Sequence, residues 1–142
     1  NLGIAYRHAH EYKKARKQYE AAKAQGVDER NNLGILDIKV AEYESATNTF
    51  EQNRYDYNVA LAHTLNGTYD KALEVIDNIT TKTADVYYLK AIVGARKGDE
   101  ELMTTSLRRA VEKGQGIRDR AKNDLEFREY HGTETFKNAL RY

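Results

Sequence analysis

Asn66-Gly-Thr-Tyr-Asp-Lys-Ala-Leu73 carries the pattern on which this 142-residue chain is built. A turn at Gly67 is followed by an aromatic residue, Tyr69, and three positions later by Ala72. Partial copies recur as Tyr12 with Ala15, Tyr43 with Ala46, and a degenerate Glu100 with Met103, at spacings of 31, 26 and 31 residues. Nine residues before each aromatic or Glu100 stands a small residue in an apolar stretch: Gly3, Gly34, Ala60 and Ala91. Four residues after each alanine position comes a large one: Tyr19, Phe50, Ile76 and Leu107.

These offsets describe paired helices. A small residue on the first helix lets the second approach closely, and the alanine does the same from the other side. The large residue four positions on shares the alanine's helical face and fills the space beside it. One pair cannot bury both its faces, so pairs stack. The pattern predicts helix pairs over about 1–24 (helices 1–9 and 12–24), 29–52, 55–78 and 84–113, forming an array over residues 1–113. The 26-residue spacing predicts a clipped connection near residues 51–56. Residues 114–142 are expected to form C-terminal capping helices. In these, Ile117–Phe127 would turn Ala121 and Leu125 inward, and Thr133–Leu140 would bury Phe136, Ala139 and Leu140. Because the chain opens in a helical pattern, it reads as a piece of something longer.

Leu2-Gly3-x-x-Tyr6 with Tyr12, Ala15, Tyr19 and Ala22 resembles the tetratricopeptide repeat. So do Leu33-Gly34 with Tyr43, Ala46 and Phe50, then Gly67-x-Tyr69-x-x-Ala72, and Tyr87 with Ala91, Gly98 and Ala110. The resemblance covers nearly the whole chain. It implies an all-α, right-handed superhelix, or solenoid, of about four helix pairs, whose first helices line a concave groove. There are departures: proline is absent, and Asp37, His63 and Gly94 replace the tyrosine seen at Tyr6. The run Tyr87-Tyr-Leu-Lys-Ala-Ile-Val-Gly-Ala-Arg-Lys-Gly-Asp99 and the later Ala121-Lys-Asn-Asp-Leu-Glu-Phe127 resemble long repeat proteins of Bacteroides-type bacteria. The family shares a shape and not a chemistry.

Composition narrows the function classes. Charged residues are 32% and the formal net charge is +1, so nothing steers the whole chain toward nucleic acid. Without cysteine there are no disulfides and no thiolate metal sites. No apolar stretch approaches the roughly 18 residues that would insert into a membrane. Phosphate-loop, zinc-protease and nucleophile-elbow motifs are missing. His8 and His10 point about 200° apart on a helix and cannot share a metal. The sequence therefore predicts no enzyme, no cofactor and no metal. Its compartment stays open, with a bacterial envelope slightly favoured over the cytoplasm.

Binding is expected along the first helices. Asn1, Asn32 and Asn58 share one repeat column, and an amide can both donate to and accept from an extended peptide backbone. Ile4, Ile35, Leu61 and Ile92 form an apolar column beside them. Lys39, Arg54, Tyr57, Tyr88 and Arg96 flank both, which suits an acidic or aromatic peptide. The expected partner-binding residues are thus Asn32, Ile35, Lys39, Arg54, Tyr57, Asn58, Leu61, Tyr88 and Arg96. Against this stand plainer readings: amides bonded locally, apolar columns that are core, and charges that are merely solvated. The leading expectation is a protein-interaction scaffold that holds a peptide or helical segment. The alternative is a structural or self-assembling spacer that packs through its N-terminal edge.

Overall fold

The computed structural model describes the backbone of residues 2–141 and the side chains of residues 9–141. Among the described residues there is no strand. Nine α-helices follow one another in the described residues: α1 Leu2–Ala24, α2 Arg30–Lys39, α3 Tyr43–Thr49, α4 Tyr57–Asn66, α5 Tyr69–Asn78, α6 Ala84–Lys97, α7 Glu100–Lys113, α8 Ile117–Asn123 and α9 Glu134–Ala139. A single 3₁₀ turn, Leu125–Phe127, lies between the last two.

The first expected pair is one helix. No glycine or proline interrupts residues 5–25, and good helix formers dominate them, so nothing stops α1 before Gly26. There the backbone turns left-handed at φ +90°, and the Val27 N–H bonds back to the Ala22 carbonyl at 3.1 Å. The expected break between residues 9 and 12 has no turn residue to make it.

Residues 29–113 form pairs close to the expected bounds, and the turn inside each pair is built alike. Gly67 (φ +80°) ends α4 and Gly98 (φ +74°) ends α6. In both, the next residue's N–H reaches back five positions: Thr68 to His63 at 3.0 Å, and Asp99 to Gly94 at 2.8 Å. The equivalent turn after α2 has Ala41 at φ +63°, with the Glu42 N–H on the Asp37 carbonyl at 2.8 Å. This third turn falls where the 29–52 pair requires it, without the glycine that marks the other two. Side-chain caps open α4, α6 and α7: Asp56 accepts from the Val59 N–H, Thr83 from that of Val86, and Asp99 from that of Leu102.

The short 26-residue spacing is absorbed by two helices and not by the connection: α3 and α4 have 7 and 10 residues where α5 and α6 have 10 and 14. α3 stops at Thr49, where 43–52 was expected, because Phe50 turns extended (ψ 149°). The connection 50–56 then needs Asn53 at φ +63°.

Each helix packs chiefly on its neighbours in sequence, from α2 against α3 through α6 against α7. α4 also touches α6, α9 packs on α7, and the 3₁₀ turn packs on α6. Two apolar clusters result. One joins α3 to α6 around Phe50, Ala60, Ala72, Ile76 and Leu89. The other joins α6 to α9 around Ala91, Met103, Leu107, Phe127 and Phe136. The column residues Ala46, Ala60, Ala72, Ala91 and Met103 are all fully buried. Close approach is literal at two glycines. A Cβ on Gly34 would lie 2.5 Å from the Phe50 ring, and one on Gly94 would lie 2.6 Å from the Met103 backbone nitrogen.

α1 is fastened to this stack by a buried carboxylate. Asp37 is 1% exposed. It accepts from the Arg16 guanidinium at 2.6 Å and from the Ser45 and Thr49 hydroxyls at 2.9 and 3.1 Å. Asp37 stands in the repeat column of Tyr6, His63 and Gly94, and here that column carries an ion pair between helices.

At the C-terminus, Phe136, Ala139 and Leu140 are buried as expected. Leu125 is not: it is 73% exposed. α8 ends at Asn123, and the 3₁₀ turn changes the phase of the chain, which buries Phe127 in place of Leu125.

Candidate partner-binding face

The face begins on α2. Asn32 is exposed, and its amide donates to the Glu29 carboxylate at 2.7 Å. Ile35 is half-buried against the first apolar cluster, and Lys39 is exposed in the helix's last turn. Asn31, which the sequence reading passed over, has its side-chain oxygen buried with no hydrogen-bond partner among the described residues. Asn31, Tyr57 and Tyr88 occupy one repeat column, at spacings of 26 and 31 residues. Asn1 and the side chain of Ile4 lie outside the described residues.

On α4, Tyr57 and Leu61 are one turn apart and pack half-buried on the same cluster as Ile35. Burial pushes the Tyr57 hydroxyl above its ordinary pKa. Arg120 opposes that shift and Asp85 adds to it, which sets residues of α6 and α8 near this ring. Asn58 is half-buried beside it. Arg54 is tied down before the helix starts. Its Nε donates to Asp56 at 2.5 Å, while the other carboxylate oxygen caps α4. Arg54 lines a separate depression of about 410 Å³, with Tyr55 and His63 on one side and Lys71 and Glu74 of α5 on the other.

On α6 the structure corrects one expectation. Tyr88 is 1% exposed and belongs to the second core cluster, so it cannot stand open to a partner. Its hydroxyl donates to Asp124 at 2.6 Å, and its ring meets Phe127 edge-on at 5.6 Å. The Arg120 guanidinium lies 4.0 Å from the ring centroid. Burial, then the bond to Asp124, holds the hydroxyl well above its ordinary pKa. The sequence assigned Tyr88 to the face from its column alone and could not see what would lie on it.

The chain's own segment Asp124–Phe127 lies there. Arg96 grips Glu126 with two parallel bonds, Nε at 2.9 Å and Nη2 at 2.6 Å, and its Nη1 reaches the Thr64 carbonyl on α4 at 3.4 Å. Asp124 also accepts from the Glu126 N–H at 3.0 Å, which stiffens the segment. The structure thus joins Tyr88 and Arg96 through one acidic, aromatic segment, and gathers Ile35, Tyr57 and Leu61 on one core. Asn32 and Lys39 stand free of that core at the solvent, and Arg54 faces elsewhere.

Asp124, Glu126 and Phe127 were missed as face residues, although a signal existed. Ala121 follows Ala91 by 30 residues and is fully buried, so α8 continues the small-residue column of the first helices. Glu126 then falls 30 residues after Arg96, one unit further along.

The two histidines outside α1 are engaged locally: His63 bonds Thr68 at 2.9 Å, and the His131 ring centroid lies 5.2 Å from that of Phe136. Among the described residues no cluster of His, Cys, Asp or Glu could hold a metal ion, and no helix is long and apolar enough to cross a membrane. No protein-family model, no curated protein and no solved structure matches the chain.

Proposed function

We propose that the chain is a tetratricopeptide-like array, a right-handed superhelix of helix pairs. In this reading it works as a scaffold that holds an acidic, aromatic-bearing segment of a partner protein along its first helices, without catalysis. One observation carries this. Two of the residues expected to bind, Tyr88 and Arg96, already engage a segment of that chemistry, Asp124-Leu-Glu-Phe127. Phe127 is fully buried, so this segment is a fixed end-wall and not a displaceable plug. The stretch left for a partner is α2 and α4, with Ile35, Tyr57 and Leu61 as its apolar floor. Asn32, Lys39 and Asn58 flank that floor. A face already ordered by the core spares the entropy of arranging it on binding.

The test is capture of partners from the source cell's lysate by the 142-residue chain, beside Lys39→Glu/Asn58→Ala. A partner held by the parent and lost by the variant supports the face. A partner held equally by both counts against it.

A second reading has its own observation. α1 is a 23-residue helix that packs chiefly on α2, which suits an edge for self-assembly or for further repeats of a longer protein. Light scattering separates the two: a monomer across micromolar concentrations removes self-assembly and leaves the scaffold.

A further inference from the structure

α8 and α9 close around a second depression, of about 590 Å³, away from the α2 and α4 face. Its rim is cationic. Arg118 and Lys122 stand one turn apart on α8, and Lys137 and Arg141 one turn apart on α9 and just beyond it. Phe136 and Leu140 form the floor, and the aliphatic stems of the cations extend it. Among the described residues no carboxylate lines it. That segregation is unusual in this chain. The depression beside Arg96 also holds Asp124, Glu126 and Glu129, and the one beside Arg54 also holds Glu51 and Glu74.

The cations are held but not neutralised. Arg118 is fixed by donating through Nε to the Leu140 carbonyl at 2.5 Å, which consumes no negative charge. Lys137 has only a long pairing with Glu134, at 3.8 Å. Lys122 and Arg141 are exposed and have no ion pair among the described residues. Four like charges around one apolar-floored recess repel one another, and a ligand with carboxylates offsets that repulsion.

We infer that this recess docks an acidic segment of a partner protein, with carboxylates flanking one apolar side chain. The carboxylates meet Lys122 and Arg141, and the apolar group lies along the aliphatic stems of Arg118, Lys122 and Lys137 above the closed floor. Nucleic acid fits less well. Phe136 is 2% exposed and offers no face for base stacking. The recess does not depend on the α2 and α4 face.

The experiment uses fluorescein-labelled acetyl-Glu-Glu-Leu-Glu-Glu-amide, which lacks the aromatic group proposed for the α2 and α4 face, with binding read by anisotropy. The expected result is saturable binding, weakened at least tenfold in Lys122→Glu/Arg141→Glu and unchanged in Lys13→Glu/Lys17→Glu, which alters net charge equally on exposed α1 positions. The glutamine version of the peptide should not bind. Lys122→Gln/Arg141→Gln replaces the reversal if circular dichroism shows it unfolded, and the same loss is expected. No binding to the parent chain, or equal loss in both double variants, would overturn the inference. So would a single-stranded RNA 12-mer that binds more tightly and is lost in the same variants.

Discussion

The Arg16–Asp37 clasp allows a prediction in which the two partners behave unequally. Arg16 keeps 33% of its side-chain exposure, whereas Asp37 keeps 1%. Arg16→Met therefore strands a buried carboxylate, and breaking a buried pair from one side costs about 3–5 kcal/mol. Ser45 and Thr49 still donate to the stranded Asp37, so the lower end, about 3 kcal/mol, is expected. Asp37→Leu removes the charge that cannot reach water and frees Arg16, which can. Its cost should stay near 1 kcal/mol, and the double variant should lie within about 1 kcal/mol of the parent. Urea unfolding supplies the four free energies, and trypsin cleavage at Lys13 and Lys17 reports whether α1 has come away. Equal costs for the single variants, or a double variant worse than Arg16→Met, would refute the argument that desolvation of Asp37 governs the pair.

Three further outcomes are expected. Gly94→Ala places its Cβ 2.6 Å from the Met103 nitrogen and 2.9 Å from its Cα. Backbone cannot yield there, so thermal unfolding should show a loss of at least about 2 kcal/mol. Ala41→Gly should stabilise the chain by roughly 1 kcal/mol, because Ala41 sits at φ +63° where the equivalent turns have glycine. Unchanged stability would argue that the turn is unstrained. His63 should make the chain acid-sensitive. Burial first, then Lys71, lowers its pKa in the fold from 6.5. The unfolded chain therefore binds the proton more readily, so stability is full above about pH 6.5 and is lost as pH falls through the folded value. Urea midpoints between pH 8 and 5 should lose part of their slope in His63→Gln.

What was legible in the sequence follows from what a repeat constrains. Ala46, Ala60, Ala72 and Ala91 must be small because helices touch there, and a periodic requirement survives in the pattern. The pairs from α2 to α7 were therefore readable. The break between residues 40 and 43 was readable too, but not the left-handed backbone of Ala41, because an alanine there leaves no mark in the sequence. Nor was the length of α1, because a missing turn residue is a weaker signal than a repeat column. The face was legible only as columns. Column position shows which side a residue is on, but not what else lies there. That is why Tyr88, in register with Tyr57, is enclosed by Asp124 and Phe127 while Tyr57 remains half-buried. Leu125 faces outward against expectation because a single 3₁₀ turn shifts the phase by an amount helical periodicity cannot foresee.

The central claim is that the α2 and α4 face accepts the chemistry that α6 already holds. Methyl-labelled protein, titrated with a synthetic peptide copying residues 124–129 and followed by nuclear magnetic resonance, tests it most directly. The account predicts saturable shifts of the Ile35 and Leu61 methyls, abolished by Lys39→Glu. Silent Ile35 and Leu61 methyls, or shifts confined to Leu140 in the other recess, would contradict it.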